Sequence, residues 1–388
     1  MEVRKKVAVI SPELGYGGIG INALKGIEFL LQEGFSVCAY TNTRSKEGIN
    51  LCEPEFRVIA LRNITPFFDK FDPMFYLSTH LKLRNQRPDR VLRYLPAFYL
   101  YLPWINKETP REIVISNGSW IDLILALKDI KGKSISEMIL CSPAGKLLIK
   151  SEEKLIGNAG SVLAISDFTR DRLVMHYKVD EKKIKVIYNP VDTALYRRRK
   201  TDEIKSSAGK KIREFAGGDR IALWVGRPHA IKNPSLLFEI VNEIGDCGVK
   251  FVAVGLSSPK KKDLKSDRIL FLKDIEGRDM PDIYSLSDFL LITSAYENLP
   301  TVLLEAMSCG CIPISTDVGG ISEVIKDGVN GFLINPQDKD GFINTITYIL
   351  NLQEDARNKL QGNARDSIRE KFSNEIIKKQ YVDIFNKQ

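Results

Sequence analysis

Phe289-Leu-Leu-Ile-Thr293-Ser294-Ala-Tyr-Glu297-Asn-Leu-Pro300-Thr-Val-Leu-Leu-Glu305-Ala-Met-Ser-Cys-Gly310-Cys-Ile312-Pro-Ile-Ser-Thr316 is the stretch on which the fold turns. Two short apolar runs, Phe289–Thr293 and Ile312–Thr316, are too brief for helices and read as buried strands. Between them Pro300 suits the first turn of a helix, where its missing N–H costs nothing. A strand, a helix and a second strand in this order form a right-handed crossover, the unit of a parallel sheet. Glu305 sits inside that helix among Val302, Leu303, Leu304, Ala306 and Met307. A carboxylate there is costly unless it is paired or meets a ligand.

The same alternation runs outward in both directions. The first half offers strands at Val7–Ser11, Ser36–Thr41, Arg57–Leu61, Ile113–Ser116, Glu137–Cys141, Ser161–Ile165 and Ile184–Tyr188. Helical stretches at Gly20–Glu33, Asp122–Lys128 and Asp167–His176 separate them, the last opening on the N-cap pair Ser166-Asp167 and placing His176 at the surface near its end. A break follows Tyr188-Asn189-Pro190-Val191-Asp192, and the pattern restarts at Ile221–Val225, with further strands at Lys250–Val254 and Ile269–Leu272. Two doubly wound α/β domains joined near residue 190 are expected, with ligand at the carboxyl ends of the strands and the active site in the cleft between the domains.

Two clusters carry chemistry. Strand Leu223–Val225 ends in Gly226-Arg227-Pro228, followed by Lys232-Asn233-Pro234 and a helix. Both cations can face one point beyond the strand end, an arrangement suited to a diphosphate; a solvated loop is the plainer reading. Glu297 stands at the end of strand Phe289–Thr293, where it and the backbone N–H groups of Asn298 and Leu299 can address hydroxyls. Glu305 suits a diol such as that of ribose, or pairs with a core Arg.

Composition narrows the classes. Of 388 residues 44% are hydrophobic and 27% charged, which excludes wholesale disorder. No apolar run approaches the ~20 residues needed to cross a bilayer. The start, Met-Glu-Val-Arg-Lys-Lys, reads against a secretion signal, and Cys38, Cys52, Cys141, Cys247, Cys309 and Cys311 show no zinc spacing, so a reduced, cytoplasmic protein is expected. The net charge is +8; residues 1–195 carry 28 Lys/Arg against 22 Asp/Glu, and residues 196–388 carry 29 against 27. That excess suits an anionic partner without choosing one.

Taken together, Gly226-Arg227…Lys232, Glu297-x7-Glu305, Asp317-Val-Gly319-Gly320-Ile-Ser-Glu323 and Asp327-Gly-Val-Asn330-Gly331 resemble family 4 of the retaining glycosyltransferases. Gly17-Gly18, Ala164-Ile-Ser166-Asp-Phe-Thr169 and Ile187-Tyr-Asn189-Pro-Val-Asp192 extend the resemblance over nearly the whole chain. It implies a GT-B fold of two facing Rossmann-like domains: an acceptor-binding domain of residues 1–192, with a final helix (374–388) crossing back onto it, and a donor-binding domain of residues 193–373. It implies that Arg227 and Lys232 hold the diphosphate of a UDP- or GDP-sugar, that Glu297 contacts the transferred sugar and that Glu305 binds the ribose. Backbone near Lys273 and Ile275, with Asn298 and Leu299, completes the donor site, and Gly17 and Gly18 permit close approach of phosphate or acceptor. Transfer is expected with retention, without metal and without a bound cofactor.

The resemblance has a gap. Many members carry a sugar-contacting histidine in the first domain, whereas this chain has Ser116-Asn117-Gly118 and Cys141-Ser142-Pro143 at those places; His80, His176 and His229 fit neither. Asn117 or Ser142 is expected to replace it, unless the contact is absent. Gly15-Tyr-Gly17-Gly-Ile-Gly20 spells a dinucleotide fingerprint, but Pro12-Glu13-Leu14 separates it from the strand and no acid ends the next one. Asp338-Lys-Asp340 spells a metal motif yet precedes a helix, where capping accounts for it.

Residues 82–105 join a basic cluster (Lys82, Arg84, Arg87, Arg90, Arg93) to the aromatic run Tyr94–Ile105. This suits contact with an anionic membrane surface at its inner face and a lipid-linked acceptor; an exposed helix followed by a buried one suits it equally. The main expectation is transfer to a glycan or lipid-linked acceptor. A GT-B 2-epimerase and a non-catalytic nucleotide-binding protein are the alternatives; nucleic acid is not expected, because no basic-aromatic repeat is present.

Overall fold

A computed structural model describes residues 5–11, 13–14, 17–42, 54–61, 79, 82–83, 86–94, 112–128, 130, 138, 141–259, 264 and 266–386. The chain divides into two compact units: Met1–Lys128, Ile135–Pro190 and Ile377–Gln388 in one, Asp129–Ser134 and Val191–Ile376 in the other.

The first unit holds a seven-stranded sheet, β1 (Lys6–Ile10), β2 (Ser36–Asn42), β3 (Phe56–Leu61), β4 (Arg90–Tyr94), β5 (Glu112–Ser116), β6 (Ser161–Ala164) and β7 (Ile184–Val186), in spatial order 3-2-1-4-5-6-7. The second holds six strands, β8 (Arg220–Val225), β9 (Val249–Val254), β10 (Ile269–Leu272), β11 (Phe289–Ile292), β12 (Ile312–Thr316) and β13 (Phe332–Ile334), in order 10-9-8-11-12-13. Every described pairing is parallel. The order reverses between β1 and β4 and again between β8 and β11. Crossover chains on either side of such a point leave in opposite directions, so a crevice opens there at the carboxyl ends of the strands.

The helices in chain order are α1 (Gly17–Gln32), α2 (Trp120–Lys128), α3 (Pro143–Asn158), α4 (Asp167–Tyr177), α5 (Ser207–Ala216), α6 (Pro234–Glu243), α7 (Met280–Leu286), α8 (Thr301–Ser308), α9 (Lys339–Leu350), α10 (Glu354–Lys371) and α11 (Asn374–Asn386). The two expected caps are present: Ser166 Oγ accepts from the Thr169 N–H at 3.0 Å, and Asp338 accepts from the Gly341 N–H at 2.8 Å. Each unit has its own core: Ile10, Val91, Val114 and Val162 in the first, Trp224, Phe251, Leu291 and Phe342 in the second. Strands buried on both faces need continuous apolar runs, and that is why the strand reading succeeded where it did.

Three expectations need correcting. The strand expected at Glu137–Cys141 is not in the described sheet; Met138 is helical and Cys141 lies in a turn. The strand beside β1 is instead β4, which carries two of the arginines assigned to an exposed basic cluster. Arg90 and Arg93 are 6% and 3% exposed, and Arg93 pairs with Glu112 at the head of β5. Charge disguised this strand, since its cost in the interior is offset by a neighbouring carboxylate that only the fold brings near. Of the remaining stretch, Lys82 and Arg87 are exposed, and residues 95–105, with Arg84, lie outside the described residues. His176 is not a free surface residue: its Nε2 lies 3.0 Å from the buried Asp122.

Among the described residues no helix is long and apolar enough to cross a membrane.

Candidate functional site

The second unit assembles its polar groups at the ends of β8 and β11, the reversal point of its sheet. Past β8 the chain turns through Gly226 and Arg227, makes one short helical turn (Ala230–Lys232), and enters α6 through Asn233, whose φ of 47° is left-handed. Gly226 is required here because a Cβ would lie 2.7 Å from the Trp224 ring. Arg227 is exposed, and its guanidinium makes no hydrogen bond or ion pair among the described residues, while its carbonyl accepts from the His229 N–H at 2.7 Å. Lys232 pairs through Nζ with Oε1 of Glu297, which lies beyond the end of β11 and is only 9% exposed. Ser294 Oγ donates to the same oxygen at 2.6 Å.

A set of contacts that no motif announced holds this pair in place. Thr293 Oγ1 accepts from the Trp224 indole N–H at 3.0 Å and lies 2.9 and 3.0 Å from the carbonyls of Lys232 and Asn233, which share its single proton. The Ala295 N–H donates to the Ile231 carbonyl at 2.7 Å. The loop that carries the cation is thereby tied to the loop that carries the carboxylate. The only hint in sequence is a hydroxyl residue at the end of an otherwise apolar strand.

Gly319 and Gly320 supply the third wall. Gly319 adopts φ 62°, and a Cβ there would lie 1.6 Å from the Glu297 carbonyl oxygen. The Gly320 N–H donates to the Asn298 carbonyl at 2.8 Å. These glycines are therefore more than a turn after β12: they let one backbone lie directly against another. Tyr296 Oη donates to Asn298 Oδ1 at 2.7 Å, and Leu299 is buried. Pro300 is the N-cap of α8 rather than its first residue.

Glu305 is 9% exposed in the second turn of α8, where Tyr284 Oη donates to it at 2.9 Å and Tyr196 also hydrogen-bonds. Burial raises its carboxyl to about 7, against partial opposition from the two tyrosines. Among the described residues its protein partners are these two tyrosines and not the core Arg that sequence offered. Lys273 is exposed and Ile275 half-buried beyond the end of β10.

In the first unit Gly17 (φ 65°) and Gly18 open α1, and the Glu13 carboxylate stands 3.1 Å from where a Cβ of Gly17 would be. Asn117 lies past β5 and lines a cavity, while Ser142 precedes α3 and does not line it. The structure brings Lys232, Glu297, Asn298 and the two glycines of residues 319–320 together. Glu305 rests on two tyrosines, Tyr284 and Tyr196. Among the described residues no group of three or more His, Cys, Asp or Glu side chains is arranged to hold a metal ion.

Two family profiles match, "Glycosyltransferase Family 4" over residues 16–195 and "Glycosyl transferases group 1" over residues 207–367. Among curated relatives, the N-acetyl-alpha-D-glucosaminyl L-malate synthase of Bacillus anthracis is 31% identical over 215 residues, 53% of this chain and 54% of that protein. The D-inositol 3-phosphate glycosyltransferase of Mycobacterium marinum is 24% identical over 235 residues, 58% of this chain and 49% of that one. The chain thus spans about half the length of the curated relatives it matches. Among solved structures, the sucrose-phosphate synthase of Thermosynechococcus elongatus has a TM-score of 0.78 at 19% identity, covering 99% of both chains. Anabaena HepE in complex with UDP-glucose has a TM-score of 0.73 at 18% identity, covering 99% of this chain and 100% of that one. Likeness of fold over the full length, joined to profiles that between them take in residues of both units, settles the kinship: this chain belongs to the family 4 glycosyltransferases and has the GT-B fold.

Proposed function

We propose that this chain transfers a sugar from a nucleoside diphosphate sugar to a glycan or lipid-linked acceptor, with retention and without a metal. The observation that carries the reading is the Lys232–Glu297 pair, held at the reversal point of the second sheet beside the exposed Arg227. Arg227 is the cation with charge to spend: its guanidinium can take a diphosphate through two parallel hydrogen bonds. Lys232 is half neutralised by Glu297 and shares its protons with the phosphates as the donor enters. Negative charge grows on the leaving diphosphate as the glycosidic bond breaks, and fixed cations stabilise that charge more than they stabilise the intact donor. Glu297, relieved of part of its pairing, accepts from hydroxyls of the transferred sugar. Glu305 retains acceptor capacity beside its two tyrosines, since a carboxylate offers about four lone-pair sites, and it takes the ribose hydroxyls.

In this reading the acceptor hydroxyl attacks from the face that the nucleotide leaves, its proton passing to the departing phosphate, so no protein nucleophile is required. The first unit holds the acceptor, with Asn117 on the sugar side. Anabaena HepE, of the same fold, is described in complex with UDP and with UDP-glucose, which supports a UDP-sugar donor. No metal cluster enters the scheme; the cations do its work.

Calorimetric titration with UDP, GDP and ADP, and with their sugars, tests the donor. One nucleotide should bind clearly better than the others, and Arg227→Ala or Lys232→Ala should weaken it by about 10–100-fold while the melting temperature holds. Wild-type affinity in both variants would refute the assignment. The anomeric configuration of the product, read by NMR, tests retention.

A further inference from the structure

Both ends of the loop that carries Arg227 and Lys232 rest on one side chain. Trp224 is 2% exposed and belongs to the second core. At the near end of the loop its six-membered ring lies against Gly226, where a Cβ would stand 2.7 Å from it. Gly226 also abuts Gly255, at which a Cβ would lie 2.4 Å from the Gly226 carbonyl oxygen. Arg227 therefore leaves the strand from backbone that has little room to shift. At the far end the indole N–H donates to Thr293, whose hydroxyl lies 2.9 and 3.0 Å from the carbonyls of Lys232 and Asn233. Thr293 is 1% exposed, out of reach of bulk water. Asn233 is left-handed and gives α6 no side-chain cap, so this end depends on the threonine and on the Ala295 N–H at the Ile231 carbonyl.

We propose that Trp224 and Thr293 are positioning residues for the diphosphate: they hold the two ends of the cation loop at a set separation, and the site thereby distinguishes a nucleoside diphosphate from a monophosphate. The inference rests on the donor reading above. Cations on a loop already fixed meet two phosphate groups without further ordering, whereas a loop free to drift loses conformational freedom when the ligand arrives. A monophosphate leaves one cation unused and gains little from the spacing. Neither buried side chain reaches the ligand; each acts through the backbone that it fixes.

Titration calorimetry of UDP against UMP, with the GDP–GMP and ADP–AMP pairs alongside, reads that distinction. Thr293→Val keeps the shape and removes the hydroxyl; it should weaken the diphosphate by about 3–10-fold and leave the monophosphate within about twofold. Thr293→Ser returns the hydroxyl and should restore the difference. Trp224→Phe keeps a ring and loses the N–H; its effect should be smaller and in the same direction, and it carries the test if Thr293→Val does not fold. In a Lys232→Ala background the affinity loss from Thr293→Val should vanish, since no ammonium is left to aim, while the fall in melting temperature persists. Wild-type discrimination in folded Thr293→Val, an equal loss for mono- and diphosphate, or a loss undiminished in the Lys232→Ala background overturns the proposal. Wild-type protein that binds no diphosphate better than its monophosphate overturns the donor reading and this inference with it, so the two failures are told apart.

Discussion

Gly319 shows how one atom decides a site. A Cβ at this position would overlap the Glu297 carbonyl oxygen at 1.6 Å, and its φ of 62° is unfavourable for any side chain. Nothing soft is available to yield, because the neighbour is backbone. Gly319→Ala should therefore cost about 1–3 kcal/mol in chemical denaturation and weaken nucleotide binding as Glu297 is pushed aside. Retention of both stability and affinity would show that the loop relaxes freely. Sequence alone marks this glycine only as part of a family motif; the structure shows that the lack of a side chain lets two loops touch. Thr293 carries a parallel lesson. A threonine ending a strand is unremarkable on paper, yet here it links the Trp224 indole to the carbonyls that aim Lys232.

At the level of elements, α11 depends on a missing side chain in α1. The hydroxyls of Tyr94 and Tyr381 lie 3.0 Å apart, and a Cβ on Gly26 would stand 2.3 and 2.6 Å from them. Phe29 packs edge-on to Tyr381 with ring centroids 6.1 Å apart, and Lys378 pairs with Glu33 at 2.9 Å. Gly26→Ala should separate the tyrosines and loosen α11, seen as faster amide exchange in residues 377–386 than in β5 or β6. Exchange that rises uniformly across the first unit would point instead to global destabilisation. The expectation of a final helix packed on the first domain was drawn from resemblance; the glycine that admits it was not. β4 escaped notice for the opposite reason. Its two arginines, three residues apart within a basic cluster, read as an exposed helical face until Glu112 is placed beside Arg93.

Over the whole molecule, two buried carboxyls, one in each unit, contribute to the response to pH. Burial raises Glu152 in the first unit and Glu305 in the second from 4.5 to about 7. Tyr177 and the Trp120 N–H oppose burial at Glu152, as the two tyrosines do at Glu305. Folding therefore takes up protons between pH 4.5 and 7, so this contribution to stability is complete below about 4.5 and disappears as pH rises through 7. The melting temperature should fall between pH 5 and 8, and Glu305→Gln should flatten that slope, because a neutral amide no longer titrates. A slope unchanged in the variant would mean that Glu305 is ionised throughout.

The alternation of short apolar runs with amphipathic stretches sufficed to determine two parallel-sheet units, because strands buried on both faces and helices on one leave separate periodicities in the chain. The spacing of Arg227, Lys232, Glu297 and Glu305 likewise named the candidate groups, since charge placed at strand ends and inside an apolar helix is visible in one dimension. Partnership was not visible. That Lys232 meets Glu297 and that Glu305 rests on Tyr196 and Tyr284 are decided by tertiary structure. Side-chain pairs 65 or more residues apart, such as Lys232 with Glu297, are set by how sheets order their strands, and local sequence carries no record of that order.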